Sequence, residues 1–517
     1  MSSTASKSSR DARRWPDQLA AIDIGSNSFR LEIAQLKDGR YRRIDYLKET
    51  VRLGAGLDDQ GLLTDEAAGR GLACLARFAE RLDGFAPPQV RAVATQTLRE
   101  ARNRDAFLRR AEPVLGHTVE VISGREEARL IYVGVARLQP SNLPRLVIDI
   151  GGRSTEMILG QARRPRRAES FRVGSVSLSM KYFADGRYTE AAFRAAQVAA
   201  GAELEEALEP FAPSQWQEAL GSSGTVGAVS QLLAANGITD GGITPHGLRW
   251  LMEQCLRAGR VDKLALAGLK EDRRAVIAGG LAILYTLATH FGIDELQPAR
   301  GALRQGVVFD LAERLETAAG KGRGASGHDI RDSSVARLQQ HFHVDVEQAA
   351  RVASVAGALY DGIATAPADG DDQHQPRRDL LWAAALHEIG MMISHHDHHR
   401  HSAYVLAHVD AAGFSQSQQR RLAELLLAQR GGLRKVDAAL TQDGFAWQAL
   451  CLRLAIIKCH ARGEVDPAAI SLRRQSLQAS LSFRPGWADT HPRSLFLLNE
   501  EAATWARGGP IRLVLKT

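Results

Sequence analysis

The sequence predicts an α/β protein: two related lobes around a cleft, followed by an all-α domain and a small C-terminal α+β piece. Three observations lead to this prediction. Two Gly- and hydroxyl-rich turns start 126 residues apart, a similar series of elements follows each turn, and the spacing of apolar residues becomes helical after residue 328. A repeated unit of this size indicates two lobes built on one plan.

The second of the two turns lies in Asp149-Ile-Gly-Gly-Arg-Ser-Thr-Glu156. It follows the apolar run Leu146-Val-Ile and precedes the run Met157-Ile-Leu, a pattern typical of a strand, a tight turn and a second strand. Backbone N–H groups in such a turn can point at one spot and hold a phosphate. The two bracketing carboxylates could hold a divalent cation, directly or through water. For one such turn alone, an ordinary polar β-hairpin is the better explanation.

The first turn, Asp23-Ile-Gly-Ser-Asn-Ser28, repeats this pattern. It follows the apolar residues Leu19-Ala-Ala-Ile and precedes an alternating run from Phe29 to Leu36. Two phosphate-binding hairpins that face each other across a cleft would hold a phosphate chain from both sides. The second copy therefore makes a chance hairpin the weaker explanation.

Each hairpin opens a series of three strands followed by alternating helices and strands. In lobe one (17–138) we expect strands at 19–24, 29–36, 41–53, 89–95 and 119–122, and helices at 64–83, at 100–115 and from 123 to about 138. In lobe two (139–315) we expect strands at 145–150, 155–160, 168–178 and 294–299, a strand-to-helix junction at 218–225, and helices at 189–209, 246–258, 272–292 and after 306.

Composition and periodicity divide the rest of the chain. Residues 1–16 are polar and have no apolar core, which indicates a disordered tail and not a signal peptide. The Gly-rich stretch 316–328 predicts a linker. Helical spacing predicts an all-α domain at 329–479, and alternation around a short helix at 496–507 predicts a small C-terminal domain at 480–517.

The bulk composition narrows the classes of partner. A net charge of +7 and a pI near 9.3 favour anionic partners. No basic stretch is interleaved with aromatic residues, so no nucleic acid is expected, and no apolar run is long enough for an integral membrane segment. The four cysteines show no paired spacing and predict reduced core residues of a cytoplasmic protein. Peripheral association with a membrane is left open.

Two further junctions have the chemistry of an anion site. Thr95, Thr97 and Arg99 follow a buried strand at the start of a helix, where anions are favoured; for Arg99 the alternative is a surface salt bridge. Ser223, Gly224 and Thr225 form a third loop of this kind.

Two adjacent acidic residues, Glu126 and Glu127, lie in the first turn of a predicted helix. Compensation of the helix dipole explains at least one of them. The other could be a general base near the cleft.

A histidine-rich segment in the all-α part invites a zinc interpretation. His387-Glu388 lies on an apolar helix, and five of the seven residues from His395 to His401 are histidines. A metal-dependent phosphohydrolase helix would more typically carry His-Asp with an upstream His, where this chain has Gln348. We therefore expect a related, HD-like helical scaffold without its metal site, in which the cluster is polar lining or a subunit contact.

Together these motifs identify a family. The chain resembles the exopolyphosphatase and guanosine pentaphosphate phosphohydrolase family, of the actin-like (ribonuclease H-like) superfamily of sugar kinases and heat-shock ATPases. The matching stretches are Asp23–Ser28, Ala94–Arg99, Ser123–Leu130, Asp149–Glu156, Gly221–Thr225, Gly301–Gly306, Leu386–Gly390 and His399–Tyr404. The resemblance implies Mg²⁺-dependent removal of a terminal phosphate by a cytoplasmic homodimer. A monovalent cation such as K⁺ is left open as a second cofactor.

The resemblance also implies roles for individual residues. Glu126 would be the base that orients the attacking water. Asp149 and Glu156 would position Mg²⁺. The residues expected to hold phosphates are Asp23, Ser26, Asn27, Ser28, Thr95, Arg99, Gly151, Gly152, Arg153, Ser154, Thr155, Ser223, Gly224 and Thr225. Phosphoryl transfer needs mainly positioning and charge neutralisation, which such a set can supply.

One position departs from the family pattern, because Arg153 stands where the family has a third Gly. If the turn needs a left-handed backbone there, a non-Gly residue costs roughly 1–2 kcal/mol. The side chain could crowd the phosphate or serve as an extra ligand for it. We expect the second.

The leading functional hypothesis is an exopolyphosphatase that processively hydrolyses terminal phosphates of linear polyphosphate. The basic balance and the long α domain favour it over the alternative, a guanosine pentaphosphate (pppGpp) 5′-phosphohydrolase. A superfamily kinase would need a sugar-type acceptor site, of which the sequence gives no sign. The hypothesis from another class is a catalytically weak sensor that binds polyphosphate or the nucleotide.

Overall fold

The computed structural model describes residues 18–37, 39–318, 329–363, 374–442 and 444–516. The chain divides into two compact units, residues 1–316 and 317–517. The predicted tail (1–16) and most of the predicted linker (316–328) lie outside the described residues. Among the residues described, no helix combines the length and apolar composition needed to cross a bilayer.

Unit one contains two five-stranded sheets that are built alike. The strands of lobe one are β1 (Gln18–Ile24), β2 (Ser28–Lys37), β3 (Arg40–Thr50), β4 (Val90–Ala94) and β5 (Val119–Val121), in the order β3-β2-β1-β4-β5. The strands of lobe two are β6 (Pro144–Ile150), β7 (Thr155–Gln161), β8 (Arg164–Phe171), β9 (Glu218–Ser222) and β10 (Gln297–Pro298), in the order β8-β7-β6-β9-β10. The identical order confirms the predicted repeat.

The register of the two hairpins is also the same. In lobe one, β1 and β2 run antiparallel, and Asp23 lies opposite Arg30. In lobe two, β6 and β7 run antiparallel, and Asp149 lies opposite Glu156. The next strand inward, β4 or β9, pairs parallel to the first. Both turns therefore leave their sheets at the carboxyl ends of parallel strands, where α/β proteins generally bind ligands.

Helices cover the faces of the two sheets. In lobe one they are α1 (Asp65–Arg81), α2 (Gln96–Glu100), α3 (Arg104–Leu115) and α4 (Gly124–Leu138). In lobe two they are α5 (Ser175–Tyr182), α6 (Glu190–Leu204), α7 (Ser223–Ala235), α8 (Pro245–Ala258), α9 (Glu271–Arg274), α10 (Ile277–His290) and α11 (Leu303–Ala318).

Two predicted elements were wrong. The strand expected at 168–178 ends at Phe171, and α5 begins at Ser175, because Ser177 caps the helix by accepting a hydrogen bond from Gly174 N at 3.2 Å. The helix expected at 100–115 is two helices, since one starts directly after β4 and ends at Glu100. Asn103 lies in the break, where its side-chain amide bonds the backbone of Leu63 in both directions at 2.9 Å.

The two lobes meet where α4 crosses α11. Gly134 and Gly306 lie at the crossing, and a side chain at either position would overlap the backbone of the other helix at Ala302 or Leu130. Around this crossing, buried residues of both helices pack against both sheets in one shared apolar cluster. The glycines let two backbones approach to a distance that residues with a Cβ atom would prevent.

A buried ion network lies beside the helix crossing. Asp310 of α11 accepts from Arg91 at 2.7 Å, from Arg129 at 2.6 Å and from Arg314 at 2.7 Å, and Arg129 also holds Glu126 through two hydrogen bonds of 2.7 and 2.8 Å. Burial alone would raise the pKa of Asp310, but the surrounding guanidinium groups hold it well below its usual range. The network joins β4 and α4 of lobe one to α11.

Unit two is mainly helical. Its helices are α12 (Ile330–His341), α13 (Val346–Asp361), α14 (His374–Ala385), α15 (His398–His408), α16 (Gln416–Ala428), α17 (Asp437–Leu440), α18 (Phe445–Lys458), α19 (Trp487–Thr490) and α20 (Pro492–Gly508). A three-stranded sheet contains β11 (Ile470–Gln475), β12 (Gln478–Phe483) and β13 (Arg512–Lys516), with β12 in the middle. The sheet begins inside the range 329–479 that was expected to be helical, and it shares one apolar core with the helices.

We expect Asp310→Asn to destabilise the protein strongly. Removing one partner leaves three guanidinium groups under-compensated in a buried site, and breaking a buried pair in this way costs about 3–5 kcal/mol. Urea denaturation followed by circular dichroism would measure the loss.

The matched control is Glu66→Gln. Glu66 pairs with Arg70 on the surface of α1 with its side chain 87% exposed, so we expect a change within about 0.5 kcal/mol. Equal effects of the two substitutions would contradict a structural role for the ion network.

Candidate active-site cleft

A cleft of about 530 Å³ lies between the two lobes, and both hairpin turns line it. The turns approach each other closely, because a Cβ atom at Gly152 would lie 3.3 Å from Ser26 Cβ and 3.7 Å from Asn27 Cβ. The volume is in the range of small-molecule sites. The arrangement agrees with the prediction that two hairpins face each other.

The hairpin of lobe one is held by Gly54, which follows β3, and by Thr97 of α2. Ser26 accepts a hydrogen bond from Thr97 Oγ1 at 2.8 Å, and its carbonyl accepts from Gly54 N at 2.8 Å. Thr95 follows β4 and lines the cleft together with Asn27. These contacts fix the turn in one conformation with its polar groups at the cleft.

The hairpin of lobe two is fixed by the segment around α5. Gly151 N donates to Ser154 O at 2.9 Å, and the carbonyl of Gly151 accepts from Ser175 N at 3.0 Å. Thr155 is fully buried and donates to Val173 O at 2.6 Å. Thr155 therefore supports the turn from behind and does not line the cleft.

The third loop starts α7 and carries backbone strain. Ser223 has φ +95°, a conformation that costs a non-Gly residue about 1–3 kcal/mol and is found at functional sites. Its Oγ accepts from Thr225 N at 3.2 Å. At Gly224 a side chain would overlap the guanidinium of Arg273. The absence of a Cβ atom there lets Arg273 lie against the loop.

Three carboxylates face one another in the cleft: Asp23, Glu127 and Asp149. Burial and repulsion from Asp23 raise the pKa of Asp149 to about 6. Burial raises the pKa of Glu127 to about 7, aided by Asp23 and Asp149, although the charge of Arg99 at 2.7 Å opposes the rise. Glu127 is thus a carboxylate poised to take a proton near neutral pH.

Glu156 lies behind this group and does not line the cleft. It is 1% exposed and accepts from Ser170 Oγ at 2.8 Å. Burial, followed by the charges of Glu127 and Asp149, raises its pKa well above the usual range. Its neighbours show that it lies close to the cleft carboxylates.

Cations also line the cleft, and we call them the cationic wall: Arg30, Arg43, Lys48, Lys270, Arg273, Arg300 and Arg304. Two of them lie beside a carboxylate, since Arg30 Nη1 is 3.0 Å and Arg304 Nη1 is 3.6 Å from Asp23 Oδ2. Lys48 Nζ lies 3.2 Å from Asp272 Oδ2, which is also 4.0 Å from Arg273 Nε. Burial lowers the pKa values of Lys48 and Arg273, and repulsion from Arg273 and Arg30 respectively lowers them further. An anionic ligand would relieve this repulsion.

Most of the predicted site residues meet in the cleft. Those that line it are Asp23, Ser26, Asn27, Ser28, Thr95, Asp149, Gly151, Gly152, Ser154, Ser223, Gly224 and Thr225. Those that do not line it are Arg99, Glu126, Arg153, Thr155 and Glu156.

The geometry does not favour Glu126, the residue that the family resemblance implies as the base. Glu126 is 2% exposed and binds Arg129 inside the ion network, with Arg91 at 3.9 Å. Glu127, the next residue on α4, faces the cleft instead. Consecutive residues of a helix point about 100° apart, so one glutamate of the pair anchors the helix and the other reaches the site.

Arg99 is also not at a helix start as expected. It lies in the last turn of α2 and contacts Glu127 at 2.7 Å, Ile122 O at 3.1 Å and Gln96 Oε1 at 2.6 Å. Its guanidinium is therefore occupied in orienting the carboxylate of Glu127, and a direct phosphate contact is not favoured.

Arg153 leaves the cleft altogether. Its guanidinium contacts Glu100 Oε2 at 2.9 Å and donates to Gly54 O at 3.1 Å, so it joins the second hairpin to lobe one. Its backbone is not left-handed, and the expected strain does not arise. The geometry does not support Arg153 as a phosphate ligand.

Sequence analysis missed the cationic wall. Lys48 comes from strand β3, and Arg273 comes from the four-residue helix α9, which had no motif of its own. Arg304 lay within the quoted stretch Gly301–Gly306, which could have drawn attention to it. The remaining cations belong to segments that become neighbours through the fold.

The cleft carboxylates suit a hard divalent cation. Their oxygens are the ligands that Mg²⁺ prefers. Burial, and after it the charges of neighbouring carboxylates, raises the pKa values of Glu127 and Asp149, and a cation would offset both effects. Over the described ranges, no group of three or more His, Cys, Asp or Glu side chains is arranged to enclose an ion. Mg²⁺ commonly uses one or two carboxylates together with water and substrate phosphates, so the residues present fit it.

The histidine segment of unit two is partly buried. His387 is 2% exposed, and its Nδ1 lies 2.7 Å from Ala384 O. Burial lowers the pKa values of His387 and His398, and that of His399 to about 4. Glu388 forms an ion pair with Arg462. The expectation of polar lining or a subunit contact stays a prediction.

Comparison with known proteins identifies the family. Residues 32–315 match the Ppx/GppA phosphatase family, and residues 330–502 match domain III of that family. The chain belongs to the Ppx/GppA phosphatase family. The resemblance inferred from the motifs is thereby confirmed, as is the predicted fold of two actin-like lobes followed by a helical region and a small sheet.

Curated relatives match over nearly the whole chain. A guanosine-5′-triphosphate,3′-diphosphate pyrophosphatase of Pseudoalteromonas atlantica is 37% identical over 491 residues, which cover 94% of this chain and 95% of that protein. A protein of the same name from Photobacterium profundum is 35% identical over 487 residues, covering 93% and 95%. The crystal structure of an exopolyphosphatase from Cytophaga hutchinsonii matches with a TM-score of 0.53 at 24% identity, covering 57% of this chain and 98% of that chain. This last similarity concerns the fold alone.

We expect kcat/KM to fall as the pH drops through about 6 to 7. A base must be ionised to accept a proton, and the pKa of Glu127 is raised to about 7. Arg99→Gln removes the positive charge that opposes the rise, so the acidic limb should move to higher pH. A profile of kcat/KM from pH 5 to 9 would measure both effects.

Arg125→Gln is the control for the pH profile. Arg125 lies on α4, the helix that carries Glu127. It contacts Glu169 on the surface, with its side chain 52% exposed. Its profile should match that of the unmodified protein. An acidic limb that stays in place or moves to lower pH in Arg99→Gln would contradict the assigned contact.

Proposed function

We propose that this protein is a guanosine pentaphosphate phosphohydrolase, which removes the terminal phosphate of the 5′-triphosphate of pppGpp. The proposal replaces the polyphosphatase that the sequence favoured. Relatives named guanosine-5′-triphosphate,3′-diphosphate pyrophosphatase, which match 94% and 93% of this chain, support it. The observation that carries it is a group of small and apolar residues in the lining of the cleft.

The cleft lining includes a group of small and apolar residues, which we call the apolar wall. They are Gly227, Ala228 and Leu232 of α7, together with Gly268 and Leu269. Small residues leave a flat surface on which a nucleobase can lie, and apolar contact favours a base over water. A bare polyphosphate chain carries nothing that would use such a surface. The wall thus supports a nucleotide substrate.

The cationic wall suits a substrate with phosphates at two places. Lys48 and Arg273 share the carboxylate of Asp272, at 3.2 Å and 4.0 Å, and Arg43 lines the same cleft. The hairpins would bind the triphosphate through their backbone N–H groups, while these cations would neutralise the remaining phosphates. Five phosphates need more positive charge than a simple nucleoside triphosphate does.

Glu127 is the proposed general base. Its carboxylate would accept a proton from the water that attacks the terminal phosphorus, and the bond from that phosphorus to the bridging oxygen would break. Arg99 holds the carboxylate in place at 2.7 Å. A positioned base of this kind contributes typically 10²–10⁴-fold, and the donors around the phosphates supply charge stabilisation.

Mg²⁺ is the proposed cofactor, which Asp149 and Asp23 would hold through oxygen or water. When bound, it would neutralise phosphate charge in the cleft. A monovalent cation such as K⁺, a homodimeric assembly and a cytoplasmic location are further parts of the proposal, and the family resemblance supports them.

A second candidate substrate is long-chain inorganic polyphosphate. The seven cations along the cleft and the net charge of +7 favour it. Its hydrolysis would use the same hairpins and the same base. The two candidates differ in whether the apolar wall contributes to binding.

The decisive experiment compares phosphate release from pppGpp and from long-chain polyphosphate by purified protein with Mg²⁺. We expect a higher kcat/KM for pppGpp, since its nucleobase adds contact with the apolar wall. We also expect Glu127→Gln to lower kcat by about 10²–10⁴-fold, because a neutral amide cannot take the proton.

Glu126→Gln serves as the comparison variant. It changes the neighbouring glutamate, which binds Arg129 and does not line the cleft. The folded variant should keep most of its turnover, with a lower thermal midpoint. Loss of turnover in Glu126→Gln but not in Glu127→Gln would overturn the base assignment, and faster turnover of polyphosphate would overturn the substrate assignment.

A further inference from the structure

A fully buried carboxylate lies next to the cleft without lining it. Glu32 of β2 is 0% exposed. Its two oxygens each accept a hydrogen bond of 2.7 Å from Gln305 Nε2, one accepts from Arg304 Nε at 3.2 Å, and Tyr41 donates its hydroxyl to the other. Removal of a charged carboxylate from water costs free energy that only well-placed partners offset. These hydrogen bonds around Glu32 are therefore a specific arrangement.

The arrangement ends in a cation of the cleft. Arg304 lines the cleft, and its Nη1 lies 3.6 Å from Asp23 Oδ2. Its guanidinium also lies over the ring of Tyr46, 5.2 Å from the centroid. Glu32 thus binds the Nε edge of the group, Tyr46 covers a face, and the Nη edge points toward the hairpin of lobe one.

Gln305 links the start of α11 to Glu32. Its Oε1 accepts from Ala302 N at 2.9 Å, and its Nε2 donates to Glu32. The first turn of α11 is therefore tied to β2 of lobe one through one carboxylate. A displacement of Glu32 would therefore change the position of Arg304 before it changed the packing of the apolar core.

We propose that Glu32 is a positioning residue that holds Arg304 so that its Nη groups meet a phosphate of the substrate. The inference rests on the proposed function for the identity of the substrate. An arginine with one edge occupied keeps a planar pair of donors for two phosphate oxygens. Without Glu32 the long side chain would have to be ordered at the moment of binding, which weakens binding.

A double-mutant cycle tests this role. We expect Glu32→Gln to raise KM for pppGpp by about tenfold, equal to about 1.4 kcal/mol of binding free energy, with kcat changed less than threefold. Arg304→Met should raise KM at least as much. In the Arg304→Met background, Glu32→Gln should have little further effect, because the group that it positions is gone.

Two controls separate positioning from simple support. Tyr41→Phe removes the hydroxyl donor to Glu32 and keeps the Arg304 contact, so KM should stay within about twofold. Glu49→Gln changes a carboxylate on β3 that pairs with Arg77 away from the cleft, and should leave KM unchanged. A tenfold rise in KM that persists in the Arg304→Met background would overturn the proposal.

A binding measurement keeps the test independent of turnover. Titration calorimetry with tripolyphosphate, in the Glu127→Gln background, should show about tenfold weaker binding after Glu32→Gln. If the unmodified protein hydrolyses neither pppGpp nor polyphosphate, the proposed function fails, while this titration still tests Glu32. Equal affinities with and without Glu32→Gln would overturn the positioning role even if the proposed function holds.

Discussion

The close crossing of α4 and α11 is the constraint on which the site depends. Gly134 and Gly306 allow the two backbones to touch, and Asp310 locks the crossing through buried guanidinium groups. The first turn of α4 carries Glu127, and the first turn of α11 carries Arg304. One contact between helices therefore sets where a base and a cation enter the cleft, although their positions in the sequence are far apart.

The cleft brings several like charges close together, and this conflicts with stability. The folded-state pKa of Glu127 is raised to about 7 from a usual 4.5. Its contribution to stability is therefore fully present below pH 4.5 and is lost as the pH rises through 7. Burial, followed by repulsion from neighbouring arginines, lowers the pKa values of Lys48 and Arg273. Substrate phosphates would reduce the repulsion between the cations, and a bound cation would reduce the repulsion between the carboxylates. The repulsion that destabilises the free protein therefore favours binding of a ligand with these charges.

The sequence predicted the hairpins because their information is local. A strand, a turn rich in Gly and hydroxyl groups, and a second strand can be recognised within eight residues, and two copies support each other. The sequence could not decide between Glu126 and Glu127, because the choice depends on the rotation of α4 about its axis. That rotation is set by Arg129 and Asp310, which lies 181 residues further along the chain from Arg129. Arg153 shows the same limit, since its partners Glu100 and Gly54 belong to the other lobe.

The hairpins also explain why substrate choice was difficult to predict. They contact phosphates, and a terminal phosphate has the same chemistry on a nucleotide and on a polymer. The features that can separate the two substrates are the apolar wall, which includes Gly227 and Leu269, and the cations that line the same cleft. None of these belongs to a repeated motif, because each is needed on one side of the cleft and not in both lobes. In the proposed function, phosphate binding therefore comes from the hairpins that the two lobes share, and substrate specificity comes from positions where the lobes differ.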